Sequence, residues 1–136
     1  MDSEQYQGLA GFRYALRQFV AASEKLSRAA GITQQQYQAL LAIKTKESQA
    51  MSMRDLAEQL LLSHHGTVQL VDRLAKATLV RRDPSMEDRR SVHVNLTETG
   101  EALLDELAAK HLQEMLRQEP LLRRSLQRLK KIGADA

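Results

Sequence analysis

Residues 81–100 read RRDPSMEDRRSVHVNLTETG: four arginines around a proline-containing turn, running into an alternating strand and then Leu-Thr-x-x-Gly. Asp83, Pro84 and Ser85 are turn residues. Before them Thr78 to Arg82, with Leu79 and Val80, reads as a strand, and after them Ser91 to Leu96 puts Val92, Val94 and Leu96 inward against His93 and Asn95 outward. The stretch is therefore a β-hairpin with a charged tip. Arg81, Arg82, Arg89 and Arg90 stand against Asp83, Glu87 and Asp88, which leaves a small positive excess.

Working outward, Ser52 with Asp55 three residues on is a capping-box start for a short helix whose inward residues are Leu56, Ala57 and Leu60. Leu61, Leu62 and Ser63 form a tight connection. Val68, Val71 and Leu74 then repeat at helical spacing, so a helix from His64 to Ala77 is expected with Ser63 as its N-cap. Two short helices joined this tightly form a helix-turn-helix, and a hairpin directly after them completes a winged helix. In such an arrangement the second helix can enter a DNA major groove while an arginine on the hairpin tip reaches the adjacent minor groove. Arginine suits that task because it keeps its charge and lies flat between groove walls.

The flanks are helical. Leu9, Phe12, Leu16, Phe19, Val20 and Leu26 make one apolar stripe over Tyr6 to Leu26, and Gly31 ends that helix. Thr33 with Gln36 is a second capping box, opening a helix that carries Tyr37, Leu40, Leu41 and Ile43 and runs out near Lys46. Thr97 caps a long last helix with Leu103, Leu104, Leu107, Leu112, Met115 and Leu116. Pro120 is expected to break it before a terminal helix holding Leu122, Leu126, Leu129 and Ile132. The fold class is mainly α with a small β-hairpin wing (α+β), in a single domain over 1–136.

Composition narrows the function classes. The chain has 136 residues, net charge +3 and no cysteine, which removes disulfides, thiolate nucleophiles and Cys-ligated zinc together. No apolar run approaches the ~20 residues that span a bilayer, and MDSEQYQG lacks the features of a signal peptide, so a cytoplasmic protein with no membrane partner is expected. His64 and His65 point about 100° apart on a helix and cannot chelate one ion together, so no metal and no cofactor is expected. There is no Gly-rich phosphate loop and no nucleophile elbow, so the chain does not read as an enzyme.

LAEQL at 56–60, LVDRL at 70–74, LVRRDP at 79–84 and DRRSVHVNLTETG at 88–100, set between long terminal helices, resemble the MarR family of bacterial transcriptional regulators over nearly the full length. The resemblance implies a sequence-specific regulator of double-stranded DNA, commonly a repressor, with a winged helix-turn-helix DNA-binding region at 33–96. Segments 1–32 and 97–136 would form a helical homodimerisation region and the operator would be a pseudo-palindrome. The dimer interface it implies includes Leu9, Phe12, Leu16, Leu116, Leu122, Leu126 and Leu129; intramolecular burial is the competing use of the same stripes.

Carried over onto this sequence, the recognition helix starts at Ser63 and presents His64, His65, Gly66, Thr67 and Gln69, Gln69 being able to pair bidentately with adenine. Arg73 either touches the DNA backbone or pairs with a nearby acid. Asp88 and Arg90 match the family's wing-tip Asp-x-Arg, in which the arginine enters the minor groove and the aspartate helps hold the tip; Arg82 and Arg89 would meet phosphates. The family often carries glycine in the turn where this chain has Leu61, and arginine where it has Gln69. It also implies a small aromatic-acid effector that releases DNA, with Phe12, Arg13, Leu16 and Tyr37 bordering its cleft and Arg13 as carboxylate partner. A core stripe beside a solvated arginine explains those four equally. The alternatives are a non-specific architectural DNA protein and a dimeric helical module that binds no DNA.

Overall fold

The computed structural model describes residues 1–46, 51–85 and 92–134. Asp2 caps α1 (Ser3–Ala29) in a reciprocal box with Gln5, and Thr33 caps α2 (Gln34–Lys44) in the same way with Gln36. Each box satisfies donors that a helix start leaves unpaired. β1 (Met51–Ser52) leads into α3 (Met53–Leu60), where Ser52 Oγ accepts from Asp55 N at 3.0 Å. The Asp55 carboxylate in turn is bonded to Lys46 Nζ at 3.2 Å and interacts with Ser52. Ser63 caps α4 (His64–Lys76) by accepting from Gly66 N, as its position predicts.

β2 (Val80–Pro84) and β3 (Val92–Leu96) pair antiparallel, and β1 joins the far side of β3, giving the order β1-β3-β2. The two strands are as expected, but the first sits two residues later, over 80–84, while the second ends at Leu96 as expected. Thr78 lies at φ 61, a conformation that ends α4's run rather than opening a strand, and its carbonyl accepts from Thr97 Oγ1. Asp83 and Pro84, expected as turn residues, instead face His93 and Val92 in the ladder. Proline is tolerated there because β2 is an edge strand. Val92 is exposed rather than inward, whereas Val94 is fully buried. β1 had no sequence signal of its own: two residues are too few to alternate, and Ser52 doubles as a helix cap.

The core gathers Tyr37, Leu40 and Ile43 from α2, Leu56 from α3, Leu70, Val71 and Leu74 from α4, Val80 and Val94 from the sheet, and Leu104 and Leu107 from α5 (Glu98–Ala134). Gly100 lets α5 begin against the β2 entry, since a Cβ there would stand 2.0 Å from the Leu79 carbonyl oxygen. α5 continues through Pro120, contrary to the expected break. The proline is exposed and so is Leu116 one turn earlier, so water can satisfy the carbonyl that loses its N–H partner.

α1 packs along α5, with Phe12, Phe19 and Leu26 only half-buried. The residues it buries are Gly8, Ala15, Ser23 and Ser27, a stripe small enough for close approach, while Leu9, Leu16 and Val20 stay exposed. At the junction of α1, α2 and α5, buried His111 stacks on Tyr37 with ring centroids 3.8 Å apart. Its Nδ1 lies 2.9 Å from the Leu107 carbonyl, which can only accept, so Nδ1 carries the hydrogen and on a neutral ring Nε2 accepts from Ser23 Oγ at 2.8 Å. Burial pushes the Tyr37 phenol up from its ordinary pKa.

Candidate nucleic-acid interface

α4 divides into two faces. Thr67, Leu70, Val71 and Leu74 are buried, and His65, Gln69, Asp72, Arg73 and Lys76 form an exposed strip at three- and four-residue spacing. Ser63 and His64 are exposed at the helix start and Gly66 is half-buried. Thr67 is the correction on this helix: it is 0% exposed and its hydroxyl donates to the Ser63 carbonyl at 2.8 Å, so it lies on the core side and not on the strip. A threonine four residues after a helix cap can satisfy its hydroxyl this way without a solvent-facing partner.

The wing stem rises beside the start of α4. Ser52, Met53 and Arg54 at the head of α3, His64 and Val68 on α4, and Arg82 and Val92 on the stem line an open groove of about 490 Å³. Arg81 Nε meets Asp83 at 3.0 Å, Arg81 also donates to the Leu96 carbonyl at 3.0 Å, and Asn95 donates to the same Asp83 oxygen at 2.8 Å. This network stiffens the stem across its two strands. Arg82, expected on phosphates, is bonded to Asp72 of α4. Arg73 and Lys76 enter no ion pair among the described residues, so of the two uses left open for Arg73 the acid partner is not found there. Arg54 and Asp72 were missed by sequence reasoning, and no local spacing could have linked Asp72 to an arginine ten residues on and across a helix-to-strand turn. Asp88, Arg89 and Arg90 lie outside the described residues.

The four residues expected around an effector cleft are not brought together. Tyr37 is in the core against His111, Phe12 is half-buried, and Arg13 and Leu16 instead share a shallow groove of about 420 Å³ on α1 with Arg17, Val20, Ala21 and Glu24. Of the residues expected between subunits, Leu9, Leu16, Leu116 and Leu126 are exposed, Phe12 and Leu122 are half-buried, and Leu129 is half-buried near Gly8 of its own chain. Among the described residues no cluster of His, Asp or Glu could hold a metal ion, and no helix is long and apolar enough to cross a membrane.

Two short helices, a stiff antiparallel stem and an exposed strip on the second helix define a winged helix-turn-helix protein. Residues 30–91 match the model of the MarR family. The organic hydroperoxide resistance transcriptional regulator of Bacillus subtilis is 35% identical over 99 residues, 73% of this chain and 63% of that protein. The structure of AbsC, a MarR family transcriptional regulator from Streptomyces coelicolor, superposes with a TM-score of 0.84 at 25% identity, covering 97% of this chain and 90% of that one. A MepR–DNA complex from Staphylococcus aureus shares the fold with a TM-score of 0.67 at 19% identity, covering 89% of this chain and 97% of that one. The chain belongs to the MarR family, whose members are transcriptional regulators rather than enzymes. The match spans about half the length of the curated relatives.

Proposed function

We propose that the protein is a sequence-specific regulator that binds double-stranded DNA as a homodimer in the cytoplasm, most simply a repressor on a pseudo-palindromic operator. The observation that carries this reading is the exposed strip of α4, bearing His65, Gln69, Arg73 and Lys76, beside a wing stem aimed by its own hydrogen-bond network. A major groove admits an α-helix, Gln69 supplies a bidentate partner for adenine, and Arg73 and Lys76 supply cations for phosphates. The division into a DNA-binding region at 33–96 and dimerisation segments at 1–32 and 97–136 belongs to the same proposal, as does the placing of Asp88, Arg89 and Arg90 at the minor groove and its phosphates.

The dimer is supported by what the single chain leaves uncovered. α1 exposes Leu9, Leu16 and Val20, and beyond His111 α5 exposes Leu112, Met115, Leu116 and Leu126. Apolar surface on two adjacent helices at this scale marks a partner-binding face. Replacing Arg90 by alanine should weaken binding more than replacing Arg89 and relax any preference for narrow A·T-rich minor groove; unchanged affinity would remove the wing assignment. Gln69→Ala should cost ~1–3 kcal/mol on the preferred duplex and little on random DNA, read by fluorescence anisotropy.

An effector reading rests on the α1 groove alone, lined by Arg13, Leu16, Arg17, Val20, Ala21 and Glu24, where the two arginines could pair with the carboxylate of a small aromatic acid. A thermal-shift screen of such acids should find one that both stabilises the protein and releases DNA, and finding none would count against it.

A further inference from the structure

Asp72 sits within the exposed strip of α4, between Gln69 and Lys76, and its Oδ1 accepts from the Arg82 guanidinium on β2. A carboxylate is out of place on a surface that meets phosphates, because affinity for any duplex rises with each positive charge that displaces counterions and falls with each negative one. Both stem arginines are committed inside the protein, Arg81 to Asp83 and the Leu96 carbonyl, and Arg82 to Asp72. Arg73 and Lys76 remain as the cations of the strip.

Resting on the DNA-binding reading above, we propose that Asp72 is a specificity-determining residue that withholds Arg82 from phosphates and so holds down binding to DNA of the wrong sequence. A guanidinium is long and always charged, and once released it could find a phosphate in any register of the protein along a duplex. Binding to random DNA is almost wholly electrostatic and would take the full benefit of one more cation. On a preferred sequence, base contacts fix the register, so a released Arg82 finds a phosphate only if one happens to lie within reach. The pair therefore lowers sequence-independent affinity more than operator affinity, which widens their ratio. Its value is in discrimination rather than stability, since an exposed ion pair contributes little to folding.

The test is fluorescence anisotropy over a salt series, using full-length Asp72→Asn, Asp72→Glu, Arg82→Gln and the Asp72→Asn/Arg82→Gln double variant. Probes are a random-sequence duplex and the duplex enriched by selection with the wild-type protein. Asp72→Asn should bind the random duplex about five- to tenfold tighter at 0.1 M salt, with a log–log salt slope steeper by about 0.9, and the ratio of enriched to random affinity should fall at least about threefold. Asp72→Glu should stay within about twofold of wild type, and the double variant should return to the wild-type slope. Random-duplex affinity unchanged or lowered in Asp72→Asn, with wild type binding normally, would overturn the proposal. If Asp72→Asn failed to fold, Arg82→Gln and the double variant would decide it: removing Arg82 alone should leave the slope unaltered, since a withheld guanidinium neutralises no phosphate, and a slope flattened by about 0.9 would show Arg82 on a phosphate in the wild type and overturn it. Wild type failing to bind either duplex would defeat the DNA-binding reading itself, a result distinct from failure of this inference alone.

Discussion

Leu61 takes the left-handed conformation, φ 55 and ψ 41, with its side chain 91% exposed. A β-carbon in that region costs roughly 1–2 kcal/mol, and an exposed leucine has no packing to lose. Leu61→Gly should therefore stabilise the protein by about 0.5–1 kcal/mol after glycine's own entropy cost, raising Tm by about 2–4 °C. The opposite holds at Gly100, where Gly100→Ala would drive a methyl into the Leu79 carbonyl, an atom of the backbone that cannot swing aside. Denaturant titration should show a loss of about 2–4 kcal/mol. At Asp55, the hydrogen bond from Lys46 first and that from Ser52 second hold the carboxyl below its ordinary range. A depressed carboxyl contributes stability above the unfolded pKa of ~3.9, and that contribution disappears as pH falls through the folded value. The stability difference between wild type and Asp55→Asn should thus be present at neutral pH, small because the pair is exposed, and gone in acid. These residue-level constraints were only half legible in the sequence. Leu-Thr-x-x-Gly marked a helix start, but that its glycine clears a carbonyl, and that Thr67 turns inward, depend on neighbours far along the chain.

At the scale of elements, capping chemistry carried most of the prediction. Thr33, Ser52 and Ser63 each cap the helix expected of them, because a side-chain oxygen three residues before a free N–H is a local event that distant packing seldom overrides. Strand limits were less secure. The stem's register depends on Thr78 leaving the helix at positive φ and on Pro84 finding an edge position, and neither follows from alternation. Pro120 was read as a break by the rule that it removes a hydrogen bond and crowds the preceding turn. The rule gives a cost rather than a veto, and α5 absorbs it where the turn faces water. Pro120→Ala should consequently raise stability by about 1–3 kcal/mol in thermal or chemical unfolding, and a loss would show that the proline shapes the packing of α1 on α5.

At the scale of the whole molecule, the chain builds a core where α2, α3, α4, the sheet and the first half of α5 meet, and leaves large apolar residues outside it on α1 and the second half of α5. The sequence showed the apolar stripes but not their orientation: periodicity locates a face, and the fully buried line of α1 is made by the small residues Gly8, Ala15, Ser23 and Ser27 while Leu9, Leu16 and Val20 stay exposed. Replacing both Leu116 and Leu126 by glutamate should convert a dimer to monomer in sedimentation equilibrium, since neither side chain is needed by the core of its own chain. The winged helix would then lose the paired half-site spacing that a twofold assembly gives it. The most direct test of that account is selection of bound duplexes from a random double-stranded library at two salt concentrations. Enrichment of a pseudo-palindrome with half-sites about one helical turn apart is the predicted result. Retention without any enriched sequence, or no retention even at low salt, would contradict it.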